Sequence, residues 1–586
     1  MAFDGIFLAA IREELTELIG SRVDRIFQPE KETLILHLRK ARETKKLLLC
    51  SLPDQARVHL TAGGFTNPPS PPLFCMVLRK HLEGSFLAAI EQPGLERVLK
   101  LHFNTADELG RPTTRLLVVE IMGKHSNIIL LKPDGEIVDA SRRYTHAVSR
   151  HREVLPGRPY IPPPPQEKAD PRQMDDEAFC NYLLSSSLNL PLQRLLVQKL
   201  SGIGPQTAAE ILHRAALPVE TTLNDCGQYE LTRLWQALQE ILAATAAPAS
   251  QAVVVRNKEQ QPLAFAAFDL YQYQDLPREY YEGPSKACDN FFAARREAQI
   301  LAGMRLSLEH TLQRELKRCR KKESLQAATV AEASGAEAWR LAGELITANI
   351  YRLTRGQDSF TAINFYDPEN KPITIKLDPA LSPAENARIY FNRYNKAKNA
   401  ARLAREQLEK TREEIAYLES INQALSIAVD KYDLVEIQRE LRRAGYLPEP
   451  RSKQQAGRKA KQKEALRQSL PLEFTSPDGF KILVGKNNRQ NDWLTLRQAA
   501  DSDLWLHAKD IPGSHVIIKT EGRQVSAATL EMAARLAARY SSARQSSRVP
   551  VDYTLVKHVR KPAGAKPGRV IYDHQRTVYV TPIEIT

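Results

Sequence analysis

The chain has 586 residues, 42% of them hydrophobic and 26% charged, with a formal net charge of +14; it is too long for one core, so about three to five domains are expected, and too apolar for wholesale disorder. No run approaches the roughly 18 uninterrupted apolar residues of a membrane span, and the opening MAFDGIFLAAIREEL lacks the basic start of a signal peptide. Six cysteines scattered without a CxxC pair exclude a zinc ribbon and a disulfide framework, so a reducing, cytoplasmic setting is expected.

Residues 1–169 read as an α/β domain. An amphipathic opening helix (Ile6, Ile11, Leu15, Leu18) precedes strand-like runs at 33–38, 46–49, 115–121 and 127–131, and KPDGE at 132–136 has the chemistry of a hairpin turn. The run IPPPP at 161–165 marks a boundary, because proline continues neither a helix nor a central strand. Residues 170–245 turn helical and contain KLSGIGPQTAAEIL at 199–212. This resembles a helix–hairpin–helix module, in which Gly202 and Gly204 make a tight turn and leave amides at a helix N-terminus that suit a phosphate. The other reading is a helical hairpin that only packs.

Residues 246–288 are a strand-rich return segment to the first domain. A first coiled-coil arm is expected over 289–354, with Leu301, Leu308, Leu312, Leu316 and Cys319 spaced along it, then a β-hairpin tip over 355–383 and a second arm over 384–446. The second arm has the clearer seam, from Tyr394 through Ala397, Ala401, Ala404, Leu408, Thr411, Ile415, Leu418, Asn422, Leu425 and Val429 to Tyr432. Thr411 and Asn422 are expected to fix its register. Residues 447–470 form a basic linker, and 471–586 a final α/β domain with strands near 480–484, 515–519, 551–556 and 578–583 and a helix at 526–541.

Positive charge gathers at the end: from Arg451 onward there are 24 Lys and Arg against 12 Asp and Glu, the balance of a polyanion binder. Trp493, Trp505 and several tyrosines alternate there with basic residues, and 556–570 packs Lys557, Arg560, Lys561 and Lys566 into a Gly/Pro-shaped loop suited to an RNA backbone. Enzymatic motifs are weak. MGKHSN at 122–127 lacks the first glycine and the Ser/Thr of a Walker loop. His507 and His515, with Asp503 and Asp510, read as hydrogen-bonded turn residues rather than metal ligands. No catalytic residue, metal or cofactor is expected.

The segments VGKNNRQNDWLT (484–495), DLWLHAKDIPGSHV (503–516) and KPAGAKPG (561–568) resemble the C-terminal RNA-binding domain of the NFACT family, NFACT-R. DGIF (4–7), FCMVLRKHL (74–82), EIMGKHSNIIL (120–130) and LPGRPY (155–160) resemble its N-terminal domain, NFACT-N. The resemblance covers the whole chain. It implies a multidomain α+β protein: a glycosylase-like NFACT-N domain, a helix–hairpin–helix module, a long antiparallel coiled coil with a β tip, and NFACT-R. It further implies a ribosome quality-control factor of the NEMF type, not an enzyme. Such factors bind a large ribosomal subunit (rRNA and ribosomal proteins) obstructed by peptidyl-tRNA, and recruit alanyl-tRNA to extend the stalled chain with alanine. In the family an Asp-Arg pair and a Glu-Ile-Met stretch bind tRNA; here these positions are Glu96-Arg97 and Glu120, Ile121, Met122. Trp505, His507 and Lys509 join the lysines and arginines of the 556–570 loop as expected RNA contacts. For Arg97 and Glu120 the bland alternative is an internal ion pair. Two rival functions are a fibronectin-binding surface adhesin, opposed by the missing signal peptide, and a glycosylase-like nucleic-acid enzyme, opposed by the MAFD start and the absence of clustered cysteines.

Overall fold

The computed structural model describes residues 3–107, 109–147, 151–246, 251–449 and 470–583. The expected basic linker falls almost wholly outside them. Two compact units, 1–299 and 300–586, divide the chain.

In the first unit the helix Gly5–Leu15 is followed by nine strands: β1 (Arg22–Glu30), β2 (Thr33–Lys40), β3 (Glu43–Cys50), β4 (Arg57–Leu60), β5 (Phe86–Glu91), β6 (Val98–Ala106), β7 (Pro112–Glu120), β8 (Asn127–Leu131) and β9 (Ile137–Ala140). They form one sheet in the order β4-β3-β2-β1-β5-β6-β7-β8-β9, and every pairing is antiparallel. The α/β expectation for this domain is therefore corrected to α+β. Most links between successive strands are hairpin-length, too short for the crossover that parallel pairing requires.

The helix Gly5–Leu15 lies between two cores. Phe7, Leu8, Ile11 and Leu15 join the core beneath the sheet. Ile6 instead joins the core of the helical segment, with Leu95, Leu196, Ile203 and Ile211. That segment places helices Leu192–Lys199 and Pro205–Arg214 on either side of the glycine turn. A three-stranded antiparallel sheet, β10 (Gln251–Arg256), β11 (Pro262–Ala266) and β12 (Arg278–Glu282), lies between the cores: Val253 and Val255 face one, Ala252 and Val254 the other.

The turn packs by close backbone approach. Gly202 has φ +80°, and a Cβ on Gly5 would sit 1.9 Å from the Leu95 carbonyl oxygen and 2.6 Å from the Gly202 Cα; only glycine fits at both positions. Asp4 then ties the two helices together. One of its oxygens accepts from Phe7 N at 3.0 Å, capping the first helix. The other accepts from Gly204 N at 3.0 Å and Thr207 Oγ1 at 2.6 Å, capping Pro205–Arg214. Burial raises the Asp4 carboxyl above its ordinary range, while the three donors act in the opposite sense. The expected phosphate-binding amide at Gly204 is corrected accordingly, since an internal carboxylate already accepts from it, while Gly202 packs closely against the Leu95 side chain.

The second unit holds most of a long helix, Pro284–Glu332, whose first residues belong to the other unit, and Pro383–Ile427. These run antiparallel, as Arg320 pairs with Glu419 at 2.9 Å and Glu323 with Arg412 at 3.2 Å. Leu308, Leu312 and Cys319 bury against Leu418, Ile421 and Leu425. The seam departs from expectation at its end. Asp430 caps a new helix, Lys431–Arg443, in a reciprocal box with Asp433, so the helix breaks after Ile427. Asn422 faces solvent while Ile421 is buried, and Val429 is 80% exposed. Asn422 therefore fixes no register. Beyond the seam, the helix Ala336–Ala348 and the hairpin Ser359–Ile363/Pro372–Lys376 share a small core with Ala387.

The C-terminal domain is a six-stranded antiparallel sheet in the order Leu472–Thr475, Lys481–Val484, Val516–Lys519, Leu504–Ala508, Val549–Leu555, Arg576–Val580, covered by the helix Ala527–Arg539. Here too antiparallel pairing replaces the expected α/β class.

Asp4→Ala should uncap both helices and leave the Thr207 hydroxyl and two amides without an acceptor. A loss of about 2–4 kcal/mol is expected, read as a lower thermal midpoint, with Asp4→Asn costing distinctly less because one acceptor oxygen survives.

Candidate nucleic-acid interface

The ends of β6 and β7 bring the two expected tRNA motifs side by side. Val98 pairs with Glu120, and Ile121 N donates to the Arg97 carbonyl at 2.8 Å. The side chains then diverge. Glu120 is wholly buried and is gripped by Arg152 through a two-pronged pair at 2.7 and 2.5 Å, while the Tyr160 hydroxyl donates at 2.9 Å. Burial pulls the Arg152 guanidinium down, but the bonded Glu120 carboxylate outweighs it and the net shift is upward. Burial and then the Glu120 charge push the Tyr160 phenol up. Glu120 thus pins segment 151–161 to the sheet, and Ile121 is buried in the main core. Both are corrected as tRNA contacts: neither side chain reaches solvent, since strand alternation turns one toward Arg152 and the other into the core. Met122 is half-buried.

Glu96 and Arg97 remain half-buried at the surface. Gln92 Nε2 fixes their loop by donating to the carbonyls of Gly5 and Glu96, both at 2.9 Å. Among the described residues the Arg97 guanidinium has no hydrogen-bonded or ion-paired partner; its pairing with Glu120 is excluded by Arg152. Sequence reasoning missed its neighbour Lys168. Burial and then the Arg97 charge depress the Lys168 ammonium, with Glu96 acting in the opposite sense. Lys168 arrives because Ala169 bridges to the helical hairpin: Ala169 N donates to the Lys199 carbonyl and Ser201 N to the Ala169 carbonyl, at 2.9 and 2.8 Å. Nothing local in QEKAD at 166–170 announces this placement.

In the C-terminal domain, Trp505 is fully buried and stacks on half-buried His507 with ring centroids 5.7 Å apart, while Tyr572 covers it at 4.7 Å. Burial lowers the pKa of His507 and, further, that of His515, which hydrogen-bonds Thr495 at 2.7 Å. Trp505 is therefore a core residue and not a base-stacking platform.

The Gly/Pro loop is also turned inward. Lys561 pairs with Asp492, and Gly568 N donates to the other oxygen of that carboxylate at 3.1 Å. Lys566 sits over the Tyr417 ring at 4.4 Å, and Arg569 pairs with Glu413 at 2.9 Å. Lys486–Asp433 at 2.7 Å and Asn488 on Ser420 and Glu440 complete a polar dock between this domain and the helices Pro383–Ile427 and Lys431–Arg443. Lys561 is corrected from an RNA contact to a docking residue, while Lys566 stays exposed beside the tyrosine rings. Lys509, Lys557 and Arg560 stay exposed, although Arg560 lies 3.4 Å from Asp573.

An antiparallel α+β domain with exposed Lys509, Lys557 and Arg560 is carried beside two paired long helices, and the chain belongs to the NFACT family of nucleic-acid-binding proteins. Residues 4–463 match the family description "NFACT N-terminal and middle domains" and residues 471–574 match "NFACT protein RNA binding domain". The chain is 40% identical over 584 residues to "Rqc2 homolog RqcH" of Bacillus subtilis (strain 168), covering 99% of this chain and 98% of that one. It is 35% identical over 587 residues to the protein of the same name in Streptococcus suis (strain 05ZYH33), covering 100% and 99%. Among solved structures, "The structure of the N-terminal of the fibronectin/fibrinogen-binding protein from Streptococcus suis (FBPS)" matches with a TM-score of 0.42 and 30% identity, covering 50% of this chain and 99% of that one. RqcH proteins are ribosome quality-control factors. Among the described residues no helix is long and apolar enough to cross a membrane.

Glu120→Ala leaves the Arg152 charge buried without an ionic partner, still donating to the Ile161 carbonyl, and a loss of about 3–5 kcal/mol is expected. Urea denaturation checks it, and adding Arg152→Met should recover most of the loss.

Proposed function

We propose that the chain binds large ribosomal subunits obstructed by peptidyl-tRNA and holds an incoming alanyl-tRNA through the first unit, so that the ribosome extends the stalled chain with alanine. Peptidyl transfer belongs to the ribosome in this reading, and the protein acts by positioning rather than by catalysis. The observation that carries it is the Arg97–Lys168 cation pair. Among the described residues the half-buried Arg97 guanidinium has no hydrogen-bonded or ion-paired partner and half-buried Lys168 lies near it; an anion such as a tRNA phosphate satisfies both, and a guanidinium fork matches it geometrically. Glu96 beside them favours a partner that also offers a donor, such as a base amino group. In the C-terminal domain, exposed Lys557 and Arg560, and Lys509 at the other end of the strand pair, offer phosphate contacts to rRNA.

Arg97→Ala should leave the thermal midpoint and subunit binding unchanged while weakening tRNA by about 1–3 kcal/mol, read as loss of co-purifying tRNA and of alanine tails. A destabilised Arg97→Ala protein with normal tRNA occupancy would sink the assignment.

Lys557→Ala should weaken subunit binding and reduce the slope of log K on log[salt] by roughly 1. Lys561→Ala should lower stability through the loss of Asp492's partner, with little change in that slope.

A further inference from the structure

We infer that the C-terminal domain carries a transition-metal site formed by His558, Asp573 and His574, opening onto a surface recess of about 410 Å3. The argument begins with spacing. Two ligands on a tetrahedral Zn2+ at ~2.0–2.1 Å lie roughly 3.3–3.4 Å from each other. His558 Nδ1 is 3.4 Å from Asp573 Oδ1, His574 Nε2 is 3.9 Å from the same oxygen, and one ligand atom from each of the three residues falls within 4.8 Å of the others. The three donors thus span one face of such a tetrahedron with only small side-chain adjustments.

The backbone holds them there. Asp573 N donates to the His558 carbonyl at 3.3 Å, and Thr554 Oγ1 donates to the Asp573 carbonyl at 3.0 Å. The turn is fixed to the end of strand Val549–Leu555 with the carboxylate between the two rings. His574 has φ +55°, a left-handed conformation that non-glycine residues adopt sparingly and that concentrates at functional positions. The imidazole rings lie 4.6 Å apart at 58°, so both can turn a nitrogen toward one point.

The donor set selects the ion. Two imidazoles and one carboxylate suit Zn2+ and its first-row neighbours, whereas Mg2+ and Ca2+ favour oxygen. Three protein ligands leave one position open, which is the pattern of an exchangeable site rather than a closed structural one. His558 and His574 line the recess together with Leu504, Tyr553 and Arg576, so the open position faces a concave surface. Two cations oppose the ion: Arg576 lines the same recess, and Arg560 Nη2 lies 3.4 Å from Asp573 Oδ2 and competes for the carboxylate.

That competition makes the test specific. The full chain, stripped with a chelator, would be titrated with Zn2+ against a chromophoric competitor and with Co2+ by visible absorption. One equivalent per chain is expected, with a tetrahedral Co2+ spectrum. His574→Gln, on a side chain 74% exposed, should lower affinity at least tenfold and abolish the spectrum without moving the thermal midpoint. Asp573→Asn should do the same to binding. Arg560→Ala should tighten binding several-fold, a response that scattered surface histidines would not give. Absence of a stoichiometric equivalent at micromolar Zn2+, or binding unchanged in His574→Gln, would overturn the site.

Discussion

One buried carboxylate organises the first unit. Asp4 accepts the amides that open two helices far apart in sequence, and it lies where Gly5, Leu95 and Gly202 bring three backbones into contact. Because each helix start needs an acceptor and the protein supplies a single group for both, the opening helix and the helical hairpin cannot shift independently. The loop that carries Glu96 and Arg97 is bonded to this same junction through Gln92 and the Gly5 carbonyl. The placement of the candidate tRNA-binding cation therefore rests on a contact between residues 4 and 204.

Two acid–base relationships at the sheet end then divide the work. Glu120 and Arg152 satisfy each other in the interior and fix the segment that covers the sheet, which spends Glu120's charge on architecture. Arg97, one strand over, is left with a cation beside it and no carboxylate bonded to it. Adjacent strand ends thus hold one closed pair and one open charge, and only the open one can recognise an outside anion.

Much of this architecture was legible in the sequence, for reasons that particular residues show. Strand β8 lies at the residues its apolar run marks, and the helix at 527–539 falls inside its expected span. The glycine turn and the DGIF opening were visible as motifs, but their partnership was not, because it joins residues some 200 positions apart. Parallel and antiparallel sheets share the same apolar runs, so the α/β reading could arise until hydrogen-bond register decided it. Side-chain roles were hardest. Glu120, Trp505 and Lys561 are residue types that bind RNA when exposed, and only packing shows that each is already engaged. Asn422 sits on the seam by counting alone, yet Leu418, Ile421 and Leu425 keep a 3,4 spacing on the buried face and leave Asn422 outside it.

The paired helices have a mechanical consequence. Burial along the second helix is dense near Leu408–Leu425 and thins over Ala397–Ala404, before the small core around Ala387 resumes. Resistance to bending scales with the contacts that must slide, so compliance concentrates in the alanine stretch, without proline or glycine to mark it. Thermal motion would swing the tip hairpin as one body about that zone while the root stays still. The reach of the arm is then a distribution of angles rather than a fixed length, and its width is set by the size of a few alanine-for-leucine choices.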